Sequence, residues 1–316
     1  MADVMSFRGR RVAALLVTLA ASGPAAGQEP SPSGPTFATA TDMVHLTLSV
    51  RDGQGALVSD LAAEDFEVFE NDKPQTLQLF ARAEAPGEQE SLGLNLGLLL
   101  DTSESMLEQL RLSQEAAVRF LENIPRARDL LMIFFDHDIR ISRYNSENQQ
   151  GLFARIHEAK GGGNTALYDA IAVYLSRVQD VAGRKVLVLL SDGEDSTSSL
   201  GMGELLNLVR SSSVTIYPVA FTAGIHAGSS RGAKARAFLL GLAELSGGQM
   251  FSPNASRDLA EVYNRILSEL SSQYVLGYTS SDSRRDGKYR KVRIELKRKD
   301  LKVRHRPGYR VPEDPK

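Results

Sequence analysis

Residues 94–105 read LNLGLLLDTSES. Leu94, Leu96 and Leu98–Leu100 lead into Asp101 as a nearly continuous apolar run, which suits a strand covered on both faces of a parallel sheet. Helical periodicity follows at once in Leu107, Leu110, Ala117, Phe120, Leu121 and Ile124. The polar string Asp-Thr-Ser-Glu-Ser therefore sits where a buried strand ends and a helix begins, and ligands of open α/β sheets gather at such strand ends. Further apolar strands are expected at Leu130–Phe135, Val186–Leu190 and Val214–Phe221. Helices are expected near 146–159, along Leu167 to Val178, and near 203–211, 233–246 and 256–272. Alternating strands and helices of this kind make βαβ units, so residues 91–273 are read as a doubly wound, mostly parallel sheet flanked by helices.

The texture differs on either side. Val44, Leu46, Leu48 and Val50 alternate with polar residues, as in a half-buried strand, before a turn at Asp52-Gly53. Short strands are expected at Phe66–Phe69 and Leu77–Phe80, parted by Asn71-Asp72, and Ala83–Gln89 reads as a linker. Beyond residue 273, Tyr274–Tyr278 is strand-like, and Val292, Ile294 and Leu296 alternate with charged residues after a turn at Asp286-Gly287. Either flank alone offers too few strands for a stable core. Residues 43–82 and 274–312 are therefore expected to pair into one smaller β-sandwich-like domain, with the α/β segment inserted between them.

The first residues read as an export signal. Arg8, Arg10 and Arg11 precede the apolar run Val12–Ala21, and Ala25 stands three places before a cut near Gly27. That run is about half the ~20 residues needed to span a bilayer. A buried N-terminal helix is disfavoured by the following GPAAGQEPSPSGP, which is poor in core formers. Residues 1–27 are thus assigned as a signal peptide and 28–42 as a linker, which implies a periplasmic or secreted protein without a later transmembrane segment. The sequence has no cysteine, which removes a lipid anchor, disulfides, thiolate metal sites and a cysteine nucleophile together. A net charge of -2 implies no strong electrostatic partner for the whole molecule. Residues 284–306 are the exception, with 12 Lys and Arg against three Asp and Glu. They suit either the solvent face of a hairpin or binding to an anionic surface or envelope polymer. Nucleic acid is disfavoured, because export separates the chain from it and only Tyr289 is aromatic there.

Two further fragments stand at equivalent strand ends. Thr165 follows the loop GGGN at 161–164, and Asp192 lies in LLSDGED at 189–195. Hydroxyl and carboxylate oxygens from Asp101, Ser103, Ser105, Thr165 and Asp192 suit a hard divalent cation such as Mg²⁺, which favours octahedral geometry and keeps some waters. With Ser103 and Ser105 ligating directly and the aspartates holding waters, one position stays open for a carboxylate from outside. The ordinary alternatives are that Ser103 and Ser105 cap a helix starting near Met106, that Asp192-Gly193 is a plain turn, and that the glycines are a connector. Glu104, Glu194 and Asp195 are expected to face solvent nearby, and His137 to lie in a turn after the second α/β strand.

Enzyme readings lack their residues. A phosphotransferase of the haloacid dehalogenase type carries a second aspartate two places after the first, where this chain has Ser103. A serine hydrolase would show G-x-S-x-G near Ser103 or Ser105. The histidines at 45, 137, 157, 226 and 305 have no zinc-ligand spacing, and neither a dinucleotide fingerprint nor a P-loop is present.

The string D-x-S-x-S, the threonine after a glycine loop and the S-D-G-E at a strand end together resemble the metal-ion-dependent adhesion site of von Willebrand factor type A domains. The resemblance spans residues 91–273, and all five positions match. The flanks resemble a bacterial family of exported proteins related to these domains. The matching strings are the D-x-x-G turn at Asp52–Gly55, the D-F-x-V-x-E strand at Asp65–Glu70 and the Y-x-L-G-Y strand at Tyr274–Tyr278. The resemblance implies a non-enzymatic binding module holding Mg²⁺ (or Mn²⁺ or Ca²⁺) through the five named residues and accepting a carboxylate from a protein partner. It also implies a shift of the last helix, 256–272, on binding. It leaves the oligomeric state open.

Overall fold

The computed structural model describes residues 43–83, 93–124, 129–144, 149–221, 228–253 and 258–314. The segments read as an export signal (1–27) and a linker (28–42), and most of the expected Ala83–Gln89 linker, lie outside the described residues.

The N-terminal flank supplies β1 (Met43–Arg51), β2 (Phe66–Glu70), β3 (Lys73–Gln75) and β4 (Leu79–Arg82). The middle of the chain supplies β5 (Leu94–Asp101), α1 (Leu107–Asn123), β6 (Asp129–Phe135), β7 (Ile139–Tyr144), α2 (Gln149–Glu158) and α3 (Leu167–Val178). It continues with β8 (Arg184–Ser191), α4 (Met202–Ser211), β9 (Val214–Ala220), α5 (Ser230–Ser246) and α6 (Asp258–Ser271). The C-terminal flank adds β10 (Tyr274–Thr279), β11 (Tyr289–Leu296), β12 (Lys302–His305) and β13 (Gly308–Arg310).

The two flanks interleave. One antiparallel sheet has the order β12-β1-β10-β4 and the other β13-β11-β2-β3, so each mixes strands from both ends of the chain. Register runs from Met43↔Thr279 to Leu48↔Tyr274 in the first and from Val292↔Glu70 to Leu296↔Phe66 in the second. The period-two pattern puts Leu46, Leu48, Tyr274, Leu276 and Tyr278 against Phe66, Val68, Val292, Ile294 and Leu296 in one buried layer. Two details differ from the expected strands, while the expected break at Asn71-Asp72 is present. The strand expected at Leu77–Phe80 starts two residues later, with Leu77 packed on the core. Lys73–Gln75 also pairs, as an edge strand that tolerates Pro74. Asn71 and Asp72 make its tight turn at φ 46° and 64°, in the left-handed region that hairpin turns use.

The inserted domain has sheet order β7-β6-β5-β8-β9, parallel except for β7. Helices α1, α2 and α6 cover one face, and α3, α4 and α5 the other. The central strand β5 is buried along its whole length. Gly97 is required within it, because a Cβ there would lie 2.2 Å from the ring of Tyr174, whose hydroxyl donates to the Val186 carbonyl at 2.8 Å. The antiparallel edge strand β7 was not expected. It is half exposed and offers only Ile139 and Ile141 as an alternating apolar signal.

The sandwich docks at the amino ends of the parallel strands. Arg184, the first residue of β8, donates to the Leu270 carbonyl at 2.6 Å and to Gln273 at 3.1 Å, and the Gln273 carbonyl accepts from Ala83 N–H at 2.8 Å. Glu269, fully buried near the end of α6, accepts from Tyr217 at 2.6 Å, from Arg51 of β1 at 3.0 Å and from Arg304 of β12. The carboxyl ends of the strands are thereby left clear at the opposite end of the sheet.

Candidate metal site

Asp101 closes β5 and Ser191 closes β8, and the pairing of Leu100 with Leu190 brings the two side by side. The Asp101 carboxylate is fully buried. One oxygen accepts from the Ser103 N–H at 3.0 Å and the other from the Ser191 hydroxyl at 2.6 Å. Burial pushes the carboxyl up to about 7, and the nearby Asp192 charge adds to this, while the hydrogen bonds from Ser103 and Ser191 pull against it.

Neither Ser103 nor Ser105 makes a side-chain capping bond. Ser103 precedes a short 3₁₀ turn, Glu104–Met106, without a capping bond from its side chain, and α1 begins only at Leu107. The two hydroxyls lie 3.2 Å from each other, beside the Asp101 carboxylate. Asp192 is half-buried, and its carboxylate accepts the Glu194 N–H at 2.9 Å.

The loop carrying Thr165 is laced to the same edge through its backbone. The Gly162 N–H donates to the Thr102 carbonyl at 2.8 Å, and the Glu104 N–H to the Gly163 carbonyl at 3.1 Å. Thr165 itself is buried. Its N–H donates to the Ser196 hydroxyl at 2.9 Å, and its carbonyl accepts from Ser196 and Thr197 beyond Asp192. Three strand-end loops thus converge, and all five sequence-predicted residues stand on them. Gly163 is required by its backbone, whereas the close approach at Gly161 is to the end of the exposed Leu107 side chain. A Cβ on Gly161 would lie 2.7 Å from Leu107, and one on Gly163 (φ 79°) would lie 2.9 Å from the His137 ring.

Several residues around the site were not singled out by sequence. Ser191 is one; its signal was its place beside Asp101 in adjacent parallel strands. Asp136 is another, buried and bonded to Arg140 at 2.7 Å and to Thr102 at 3.0 Å, with its carbonyl accepting from Ala166 at 2.7 Å. Arg140, together with the hydrogen bonds from Asp138 N–H and Thr102, holds the Asp136 carboxyl below its ordinary value despite the opposing effect of burial. Asp136, His137 and Asp138 gather their ligand-type atoms within 4.8 Å of one another, but Arg140 already neutralises Asp136. Glu194 departs from its expected exposure. It is buried and paired with Arg231 at 2.8 Å, because the turn at Gly193 folds it under α5. Asp195 is half-buried, accepting from Tyr168 N–H and Ser198, whereas Glu104 is exposed as expected.

The electrostatic balance follows from these partners. Arg140 serves Asp136 and Arg231 serves Glu194. Among the described residues, no Lys, Arg or His pairs with Asp101 or Asp192, although each stands in the other's field. A buried carboxylate facing a second one is costly unless a cation joins them.

Residues 96–194, which contain this whole constellation, match the family model of the von Willebrand factor type A domain. The chain carries a von Willebrand factor type A domain. Solved structures of similar fold include an aerotolerance-related membrane protein from Bacteroides fragilis, 17% identical over 56% of this chain and 98% of that one, with a TM-score of 0.43. A von Willebrand factor type A protein from Catenulispora acidiphila is 12% identical over 86% of this chain and 74% of that one, at 0.46. A pilus adhesin from Lactobacillus rhamnosus GG is 9% identical over 84% and 48%, at 0.48. No curated protein matches the sequence at a significant level. The assignment of the type A domain rests on the matched segment. Among the described residues, no helix is long and apolar enough to cross a membrane.

Proposed function

We propose that this chain is an exported, metal-dependent adhesion module whose ion takes a carboxylate from a protein partner. The observation that carries the reading is the uncompensated charge of the buried Asp101 beside Asp192, flanked by two serine hydroxyls that make no capping bond. The donor set fits a hard divalent cation, Mg²⁺ or else Mn²⁺ or Ca²⁺. Ser103, Ser105 and Thr165 would offer hydroxyl oxygens. Asp101 and Asp192 would supply charge through waters, since both Asp101 oxygens already accept protein hydrogen bonds. When bound, such an ion provides an electrophilic position at the protein surface that an acidic side chain can fill.

A binding role is favoured over catalysis by what surrounds the nucleophile candidates. Ser103 and Ser105 bond one another rather than an imidazole, and Ser103 stands where a second catalytic carboxylate would be needed. Export is supported by the residues at 1–27. The test is a pull-down from envelope extract with the full chain and with Asp101→Ala, each with and without chelator. The expected result is a protein captured only by the unmodified chain and only without chelator. Capture that is indifferent to both changes would reject metal-dependent adhesion.

A further inference from the structure

Most cations of the basic run 284–306 are exposed, but the majority already have partners within the fold. Arg290 is buried against Glu70, Arg304 reaches Glu269, and Arg306 donates to the carbonyls of Ser212 and His45. Arg284, Lys288 and Arg298 are each paired with an aspartate two positions away. These neutralised cations do not make the polybasic surface that an anionic bilayer selects.

One part of the run faces outward in a different way. On β11, Tyr289, Lys291 and Arg293 share the solvent face of the sandwich, each about two residues' rise from the next. They line a groove of about 380 Å³ together with Phe69, Asp72 and Pro307. Arg293 lies over the Phe69 ring, 4.2 Å from its centroid, and is balanced by Glu295 and Asp72. The Tyr289 ring covers Gly308, where a Cβ would come within 2.6 Å of it, so the lack of a side chain on β13 lets the ring lie along the groove. Lys291 sits between the two aromatic residues and has no ion-pair partner among the described residues.

The groove is preformed and closed to an added peptide strand. β11 is paired on one side with β13, and on the other the Asn71 turn clamps Lys291, with Asn71 N–H donating to its carbonyl at 2.9 Å and Lys291 N–H donating to the Asn71 side chain at 3.0 Å. No line of backbone groups remains there to align an extended peptide. Recognition must use ring faces and one cation. A tyrosine face gives rigid, amphipathic contact area at low entropic cost, and the C–H face of a pyranose is the apolar surface that matches it. A carboxylate on that ring would meet Lys291.

We propose that this groove binds a carboxylated oligosaccharide, with a uronate ring lying on Tyr289 and its carboxylate held by Lys291. The site is remote from Asp101 and independent of any ion there.

The test is calorimetric titration of the full chain, in chelator, with trigalacturonate, neutral trigalactose, triglutamate and anionic phospholipid vesicles. The expected result is binding of trigalacturonate alone, weakening as salt rises. Lys291→Glu and Tyr289→Ala should each weaken it by about tenfold or more. Lys297→Glu, the same charge change elsewhere on the hairpin, should change it by less than about threefold. Thermal melting of each variant reports whether it folds, and Lys291→Glu alone decides the matter if Tyr289→Ala does not. Four results would overturn the proposal: no binding of trigalacturonate, equal binding of trigalactose, equal binding of triglutamate or vesicles, or equal loss in Lys297→Glu and Lys291→Glu.

Discussion

Buried carboxylates at the two ends of the α/β domain are treated in opposite ways. At the junction with the sandwich, Glu269 is enclosed by Arg51, Arg304 and the Tyr217 hydroxyl. Within the sandwich, Glu70 is likewise met by Arg290, Tyr278 and Tyr309. At the far end, Asp101 is equally buried, yet among the described residues it meets the Ser103 N–H, serine hydroxyls and the field of another carboxylate, with no cationic side chain. The first arrangement is a finished structural tie. The second is the arrangement we propose a divalent cation completes, and the contrast separates residues that hold the fold from residues proposed to bind the ion.

Four substitutions put that contrast under strain. Glu269→Ala should have the largest effect, because it leaves two partly buried arginines and the buried Tyr217 hydroxyl without their shared partner. A loss of about 3–5 kcal/mol in chemical denaturation is expected, with or without Mg²⁺, and a loss below about 1 kcal/mol would show that the junction is not tied through Glu269. Gly163→Ala should come next, since its φ of 79° is left-handed backbone that strains an L side chain and the added Cβ would lie 2.9 Å from the His137 ring. A cost of about 1–2 kcal/mol is expected, along with weaker ion binding measured by calorimetry.

Asp101→Asn should act in the reverse sense to Glu269→Ala. In chelator it relieves the repulsion from Asp192 while keeping the side chain's shape, so stability should be unchanged or higher by up to about 1 kcal/mol. A marked destabilisation in chelator would mean that Asp101 is structural after all. Ser105→Ala should be the mildest, within about 0.5 kcal/mol in stability, yet it should weaken ion affinity at least about tenfold, equivalent to ~1.4 kcal/mol of binding.

Much of this architecture can be read from sequence because its signals are local. The apolar runs of β5, β6, β8 and β9 mark buried parallel strands, and the string at 101–105 marks where the central one ends. The period-two flanks imply the insertion, since neither could bury its own face. What escaped depends on register or on a weak half-exposed pattern. β7 has only two apolar outposts, so its antiparallel pairing gave little periodic signal. Ser191 acquires its role only once Leu190 is known to lie beside Leu100. Glu194 looked exposed because it follows a turn glycine, but that turn delivers it to Arg231. The charge run 284–306 looked like one surface, whereas the fold sends Arg290, Arg304 and Arg306 inward and leaves Lys291 in a groove.

The central proposal is that the end of the sheet bearing Asp101 binds a divalent cation, and thermal unfolding in a Mg²⁺ or Mn²⁺ titration tests it most directly. For the unmodified chain, unfolding should shift upward as the ion rises, reaching about 2.7 kcal/mol of added stability at a hundred times the dissociation constant, while Asp101→Ala should show no shift. Identical, flat curves for both proteins would contradict the account.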